Sequence, residues 1–296
     1  MIVSGRQSCS DTICMEGTMK LSVTKYHGCG NDFIITGYKE ATEKCRDIPG
    51  LVRAVCDRHT GIGADGMILV KEDPLEMVYY NQDGSRAPMC GNGIRCFAAY
   101  CYDEGVCRET EYPVVTLAGE MLVKRLAEDP FLVQIEMGEP DYAPEKIGVD
   151  PETVNGTVWG YPLRLASGRE VKLYSFFLGT VHTVIFVDDA FGAENEALGR
   201  EICHHPLFSE QTNVNFVHVA DDSHINLQTY ERGCGMTLAC GTGASASALC
   251  TYKLGLTGPS VEVRLPKGSL HIDVHDGEKV RLSGPATRIM SGEYKL

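Results

Sequence analysis

Apolar residues recur along this chain in two rhythms, the two-residue alternation of half-buried strands and the three-to-four-residue spacing of helices. Residues 21–25 alternate and predict a strand, residues 27–32 a turn, and the apolar run 33–36 a second strand. Leu51, Val52 and Val55 predict a helix over residues 48–58. Apolar runs at 67–70 and 77–80 predict strands, the latter running into a hairpin-type turn at Asn81-Gln82-Asp83-Gly84-Ser85. Phe97, Ala98 and Cys101 share one face of a helix predicted over residues 94–103, with Gly105 as its stop. Strands are predicted next at 114–117, 121–126 and 132–137, then Gly138-Glu139-Pro140 breaks the pattern. Residues 141–160, carrying Pro, Gly and Asp, predict a loop with little regular structure.

The second half replays the first. Strands are predicted at 171–177 and 183–187 around a turn at 178–182, a helix over 190–203, strands at 213–217 and 224–230, a helix over 244–252, and strands at 261–265, 269–274 and 279–283. The later of these helices is apolar nearly all round (Ala244, Ala246, Ala248, Leu249), the pattern of a buried helix. Such a recurrence implies an internal duplication about a pseudo-two-fold axis. The fold class is α+β, or α/β: two pseudo-symmetric domains, each a curved, mostly antiparallel sheet wrapped around a central helix. The expected limits are an N-terminal extension over 1–18, a first domain over 19–137 to which 286–296 return, and a second over 138–285.

Composition changes this picture little, since 43% hydrophobic and 23% charged residues are ordinary for a globular chain. A net charge of −13 argues against a nucleic-acid partner. There is no apolar run long enough for a membrane span, and no apolar core in residues 1–18 for a secretory signal, so the cytoplasm is the expected compartment. The 13 cysteines are odd in number, and the cluster Cys90, Cys96, Cys101, Cys107 contains no C-x-x-C pair, which fits neither a zinc ribbon nor a disulfide framework. Most of them read as small buried core residues.

Two cysteines stand apart by their glycine context. Cys90-Gly91-Asn92-Gly93 and Cys240-Gly241-Thr242-Gly243 each place a thiol before Gly-polar-Gly and a helix rich in small residues, about half a chain length apart. The bare N–H groups of a helix start bind a carboxylate. The same positive end favours a neighbouring thiolate and should lower the thiol pKa. Two such units predict two thiols facing one carboxylate-bearing substrate, one removing a proton while the other delivers one.

Other motifs weigh less. Gly61-Ile62-Gly63-Ala64-Asp65-Gly66 matches G-x-G-x-x-G, but it comes after a helix and leads into a strand, the reverse of a dinucleotide site, so it reads as a tight turn. Asn31 reads either as turn chemistry or as an amide reaching into a pocket. Glu231-Arg232 alone reads as a surface ion pair. Cys203-His204-His205 is a poor metal site, because adjacent side chains on a helix diverge.

Four motifs together carry a resemblance: residues 25–33, residues 57–66, residues 81–85 continuing through Met89-Cys90-Gly91-Asn92-Gly93-Ile94-Arg95-Cys96, and Tyr230-Glu231-Arg232-Gly233 continuing through Ala239-Cys240-Gly241-Thr242-Gly243. In order, spacing and both thiols they resemble the diaminopimelate epimerase family, racemases that use no pyridoxal phosphate. The resemblance covers nearly the whole chain from Lys20. It implies two similar domains with the site between them and Cys90 and Cys240 as a two-base pair, with no cofactor and no metal. It further implies that Gly91, Asn92, Gly93, Gly241 and Thr242 hold the α-carboxylate and that Asn31 contacts substrate. Asn81, Asn213, Glu231 and Arg232 then recognise the far ammonium and carboxylate of diaminopimelate, Arg232 by a two-point grip on the carboxylate. The implied activity converts the L,L to the meso form, in lysine and peptidoglycan precursor synthesis, and a homodimer is expected.

One departure matters. The family usually has Gly-Asn-Pro-His where this chain has Gly179-Thr180-Val181-His182. Thr180 offers the distal carboxylate a hydroxyl in place of an amide, which leaves the chemistry but puts the substrate in question. His182 either shapes the cleft or packs in it. The alternatives are a racemase of the same kind for another amino acid, such as histidine, and a non-catalytic thiol redox sensor.

Overall fold

The computed structural model describes residues 19–296; the extension expected over residues 1–18 lies outside the described residues. Strand β1 (Lys20–Gly28) turns at Cys29 and Gly30 into β2 (Asn31–Gly37). Both turn residues have positive φ (54° and 95°), the left-handed twist a two-residue hairpin needs. Helices α1 (Tyr38–Lys44) and α2 (Ile48–Cys56) lead to β3 (Gly66–Glu72) and β4 (Leu75–Asn81). Then come α3 (Gly91–Asp103), β5 (Glu111–Thr116), β6 (Gly119–Glu128) and β7 (Phe131–Gly138). The connecting segment holds α4 (Pro144–Ile147), α5 (Pro151–Val154) and β8 (Trp159–Arg164). The second half runs β9 (Glu170–Leu178), β10 (Thr180–Phe186), α6 (Asn195–Cys203), β11 (Asn213–Val219), β12 (His224–Glu231), β13 (Gly235–Thr237) and α7 (Gly241–Lys253). It ends with β14 (Ser260–Leu265), β15 (Gly268–His275), β16 (Lys279–Pro285) and β17 (Thr287–Lys295).

The pairing repeats strand for strand. β1–β2 is antiparallel, β2–β3 parallel and β3–β4 antiparallel; β9–β10, β10–β11 and β11–β12 repeat those senses. β4–β5 is parallel, with β5–β6 and β6–β7 antiparallel; β12–β14, β14–β15 and β15–β16 repeat these in turn. Each curved sheet wraps its own 13-residue helix, α3 or α7. Antiparallel pairing of β16 with β7 and of β17 with β1 makes one continuous ladder of the two halves. One apolar cluster holds residues of both helices, Phe97 and Leu249 among them. α7 is buried on nearly every side, and its alanines and serines let the surrounding strands approach closely.

Three stretches differ from their expected form. Residues 141–160 are not an unstructured loop, since Pro144 and Pro151 start one-turn helices and the Asp150 side chain caps the second by accepting from Glu152 N at 3.0 Å. Thr180 and His182 lie on strand β10 and not in a turn, because the chain reverses at Gly179 alone (φ 71°) and Thr180 already pairs with Leu178. The helix expected from residue 190 starts at Asn195, whose side chain donates to the carbonyls of Asp189 and Ala190 (both 3.0 Å) and holds that segment as a turn. Helix α1 has no apolar stripe to announce it; of its residues only Ala41 is buried.

Candidate active site

The two thiols occupy equivalent backbone positions. Each is the N-cap residue of its central helix, in extended conformation (φ −139°, ψ 122° at Cys90; φ −128°, ψ 107° at Cys240). Each therefore projects beside the unpaired N–H groups of a helix start. The two helix starts abut: a Cβ placed on Gly91 would lie 3.7 Å from Gly241 Cα, and one on Gly241 would lie 3.6 Å from Gly91 Cα. The glycines thus bring two anion-binding ends to one place. Cys240 is 5% exposed and Cys90 half-buried. Two surface concavities, one along Lys172, Tyr174 and Phe186 and one around Asp103, Phe131 and Arg288, lie apart from the thiols.

Asn92 ties the halves together. Its Nδ2 donates to Asn31 Oδ1 and, across the boundary, to the carbonyl of Ala239, both at 3.1 Å. Asn31 Oδ1 also lies 3.7 Å from Cys90 Sγ, while its Nδ2 donates to Asp65 at 2.7 Å. Asn31 is therefore a hairpin residue whose amide stands beside the thiol. Behind it Arg58 bridges Asp65 (2.8 Å) and Asp32 (2.7 Å), and Lys25 pairs with Asp32 at 2.8 Å. Burial pushes the Asp32 carboxyl up, but Arg58 and Lys25 outweigh it and hold the group below the usual carboxylate range. The segment 57–66 that mimics a dinucleotide fingerprint is a turn in this network, leading into β3.

A second group gathers on β10, β11 and the end of β12. Arg232 Nη2 donates to Thr180 Oγ1 at 3.2 Å, its Nη1 to the Glu210 carbonyl at 3.0 Å, and its backbone N–H to Asn213 Oδ1 at 2.9 Å. His182 pairs in register with Asn213 and is wholly buried, its ring Nδ1 3.2 Å from Asn215 Nδ2. Among the described residues its Nε2 has no partner. Glu231 points the other way, as successive residues at a strand end do, accepting from Thr237 Oγ1 at 2.7 Å and lying beside the Cys240 thiol. The surface ion pair between Glu231 and Arg232 therefore does not form. Thr242 reaches the same corner, where a Cβ on Gly179 would lie 3.3 Å from its methyl. Gly93 and Gly243 sit in the first turns of their helices, each with its ideal Cβ position 3.3 Å from the Cβ of the thiol-bearing residue. Asn81 makes its side-chain bonds locally, to Tyr79 and Ser85 (both 3.0 Å).

Both thiols titrate above the ordinary range, contrary to the expected lowering. At Cys90 burial pushes the thiol up, the N–H groups of Gly93 and Asn92 pull it back, Glu231 adds to the rise and Arg95 opposes it. At Cys240 burial and the Glu231 charge push it well up, partly offset by the Thr242 hydroxyl and the Gly243 N–H. The helix starts act with the expected sign, but loss of water costs a buried thiolate more than they return. Glu231 is itself raised, chiefly by burial.

Two residues of this neighbourhood had no role assigned from the sequence. Tyr79 is buried edge-on against Phe33, its ionisation opposed by burial and by the charges of Cys90 and Glu231. Arg95 is wholly buried under the first turn of α3. Its signal was in the chain, as an arginine five places after Cys90 inside a helix otherwise built of core residues. Among the described residues there is no group of three or more His, Cys, Asp or Glu placed to hold a metal ion.

The family model described as diaminopimelate epimerase matches residues 23–143 and 174–292. A diaminopimelate epimerase of Pelotomaculum thermopropionicum is 41% identical over 276 residues, covering 92% of this chain and 98% of that protein. One from Methanothermobacter thermautotrophicus is 40% identical, covering 91% and 96%. Among solved structures, a hydroxyproline epimerase from Agrobacterium vitis superposes with a TM-score of 0.65 at 14% identity, over 95% of this chain and 92% of that one, a likeness of fold.

Proposed function

The chain belongs to the diaminopimelate epimerase family, and from that footing we propose that it inverts the α-carbon of L,L-diaminopimelate, giving the meso form, by a two-base reaction on Cys90 and Cys240. It is an isomerase with a small-molecule amino acid substrate. One sulfur, as thiolate, takes the α-hydrogen; the other, as thiol, returns a proton to the opposite face, so the two exchange protonation states with each turnover. The α-carboxylate sits against the helix starts at Gly91-Asn92-Gly93 and Gly241-Thr242-Gly243. As the α-hydrogen leaves, negative charge moves onto that carboxylate, and fixed N–H dipoles stabilise the enediolate-like state more than the ground state. The same N–H groups offset the burial that opposes each thiolate.

The far end of the substrate is the part that distinguishes amino acids. Arg232 would grip its carboxylate, helped by the Thr180 hydroxyl already bonded to that guanidinium. With its oxygen taken by the Arg232 N–H, Asn213 offers the ligand its amide N–H groups. Asn81 and the Glu231 carboxylate complete the set for the distal ammonium. His182 stays neutral behind Thr180, shaping this end without charge. A cytoplasmic homodimer is part of the same reading; the eleven described cysteines are all free, which fits the reducing compartment.

The observation that carries the proposal is the contact of Gly91 with Gly241, which makes one place of two thiol-capped helix starts. The test is incubation with L,L-diaminopimelate in deuterated water, following α-deuteration and the meso product, with free histidine and other single amino acids in parallel. Cys90→Ala and Cys240→Ala should each lose turnover by at least ~10³-fold, since each removes a group that acts in the transition state. Near-full turnover by either variant would sink the two-base scheme. Exchange on histidine but not on diaminopimelate would favour the Thr180-based alternative.

A further inference from the structure

Two amides, Asn31 and Asn92, stand between the thiols, and the charged groups at the ends of the pair fix which way each amide points. Asp65, a carboxylate at neutral pH, only accepts. It takes Arg58 Nη2 at 2.8 Å on one oxygen and Asn31 Nδ2 at 2.7 Å on the other. The Asn31 oxygen is thereby turned the other way, to Asn92 Nδ2 at 3.1 Å and to within 3.7 Å of Cys90 Sγ. At the far end Arg95, which only donates, gives Nη2 to Asn92 Oδ1 at 3.0 Å. The same guanidinium bonds the Gly91 and Pro285 carbonyls and reaches the Cys29 thiol. The two charged ends agree, so the bonds run in one sense from Arg95 through Asn92 and Asn31 to Asp65.

That sense leaves the Asn92 side chain nothing to offer a ligand. Its N–H groups go to Asn31 and to the Ala239 carbonyl, both at 3.1 Å, its oxygen is taken by Arg95, and the residue is 2% exposed. The α-carboxylate can meet only its backbone N–H, at the start of α3. The side chain reaches the other half of the molecule instead, at the residue just before Cys240. The second half ties itself differently. Thr180 opens β10 as Asn31 opens β2, and Thr242 holds the place in its Cys-Gly-polar-Gly unit that Asn92 holds in the first. Thr180 Oγ1 accepts from Arg232 at 3.2 Å and Thr242 Oγ1 lies 3.5 Å from Cys240 Sγ, both within that half.

We propose that Asp65 is a positioning residue for the two thiols: by fixing the sense of the Asn31 amide it makes the Asn92 side chain a clasp on the Ala239 carbonyl, and the clasp sets Cys240 against Cys90. An amide in place of the Asp65 carboxylate would accept either end of Asn31. With Asn31 reversed, its N–H groups would face those of Asn92, and Arg95 keeps Asn92 from reversing in turn. The clasp would loosen although neither thiol nor helix start had changed.

The inference rests on Cys90 and Cys240 being the reacting pair, which the two alanine variants test separately. Its own test joins steady-state kinetics on L,L-diaminopimelate with hydrogen–deuterium exchange of the full-length protein, read by mass spectrometry in the peptide containing Ala239 and Cys240. Asp65→Asn and Asn92→Ala should each lower kcat by about tenfold or more with KM within about threefold, because a small displacement of a reacting group is felt in the transition state. Both should speed exchange in that peptide, which lies in the other half from either substitution. The double variant should be no slower than Asn92→Ala alone, since Asp65 acts through Asn92. A raised KM at unchanged kcat in Asn92→Ala would mean that the side chain holds the carboxylate, and overturns the proposal. So does a folded Asp65→Asn protein with kcat or exchange unchanged, even if Asn92→Ala fails to fold. So do losses that multiply in the double variant. Exchange is read without substrate, which keeps the two readings apart. If the unaltered protein does not turn over diaminopimelate, the reaction reading falls; exchange that still rises in both variants then keeps the clasp, and exchange that does not rise removes it.

Discussion

His182 is wholly buried on β10, and burial, with the Arg232 charge behind it, pushes its pKa from the ordinary 6.5 down to about 3. The folded protein therefore holds a neutral imidazole across a range in which the unfolded chain binds a proton. Stability from this source is intact above the unfolded value and is lost as pH falls from about 6.5 toward about 3. One proton contributes a slope of ~1.4 kcal/mol per pH unit. Urea unfolding between pH 6 and pH 4 should show a shallower fall by roughly that amount in His182→Gln than in the unaltered protein. Identical slopes would remove His182 as the source. At this scale the sequence offered candidates but not surroundings. Thr180 was visible as a departure, yet nothing in the chain showed that its hydroxyl is bonded to Arg232.

At the scale of elements, the repeated helices answer differently to the same change. A Cβ on Gly243 would lie 2.5 Å from Asn215 Oδ1 and 2.9 Å from Thr229 Oγ1, two groups already bonded to each other at 3.0 Å. A Cβ on Gly93 would meet nothing closer than 3.3 Å, and that neighbour is the Cys90 side chain of the same turn. Gly243→Ala should therefore destabilise by ~1–3 kcal/mol through overpacking. Gly93→Ala should be close to neutral, its contact cost offset by up to ~1 kcal/mol of helix propensity. Denaturant midpoints of the two variants measure the difference, and equal losses would mean that α7 is not seated against β11 and β12 as described. The helices with an apolar stripe or a small-residue face were legible in the chain. α1 was not, because it buries little and is held by local pairs such as Glu40–Lys44 at 2.7 Å.

For the whole molecule, the continuity of the ladder matters most. β16 joins β7, β17 covers β1 along residues 20–27, and Arg95 reaches from α3 to Pro285. Neither half can unfold without breaking bonds of the other. The single tryptophan, Trp159, packs in the second half against Tyr142, Tyr174 and Phe176, so its fluorescence reports that half. Far-UV circular dichroism reports both. The two probes should give coincident urea transitions. A fluorescence transition separated from the circular dichroism transition would show that the halves unfold independently.

The chain by itself determined the local elements and their repetition, since side-chain periodicity and glycine-marked turns act over a few residues. It also determined which thiols stand at helix starts, because Cys-Gly-polar-Gly before a small-residue helix is a local pattern. Tertiary structure decided the rest. It brought Gly91 against Gly241, sent Glu231 to Cys240 and Arg232 to Thr180, and buried Arg95 under Asn92. It also reversed the expected direction of the thiol pKa values, for a physical reason no local pattern holds: the water removed around each sulfur depends on strands far away in the chain.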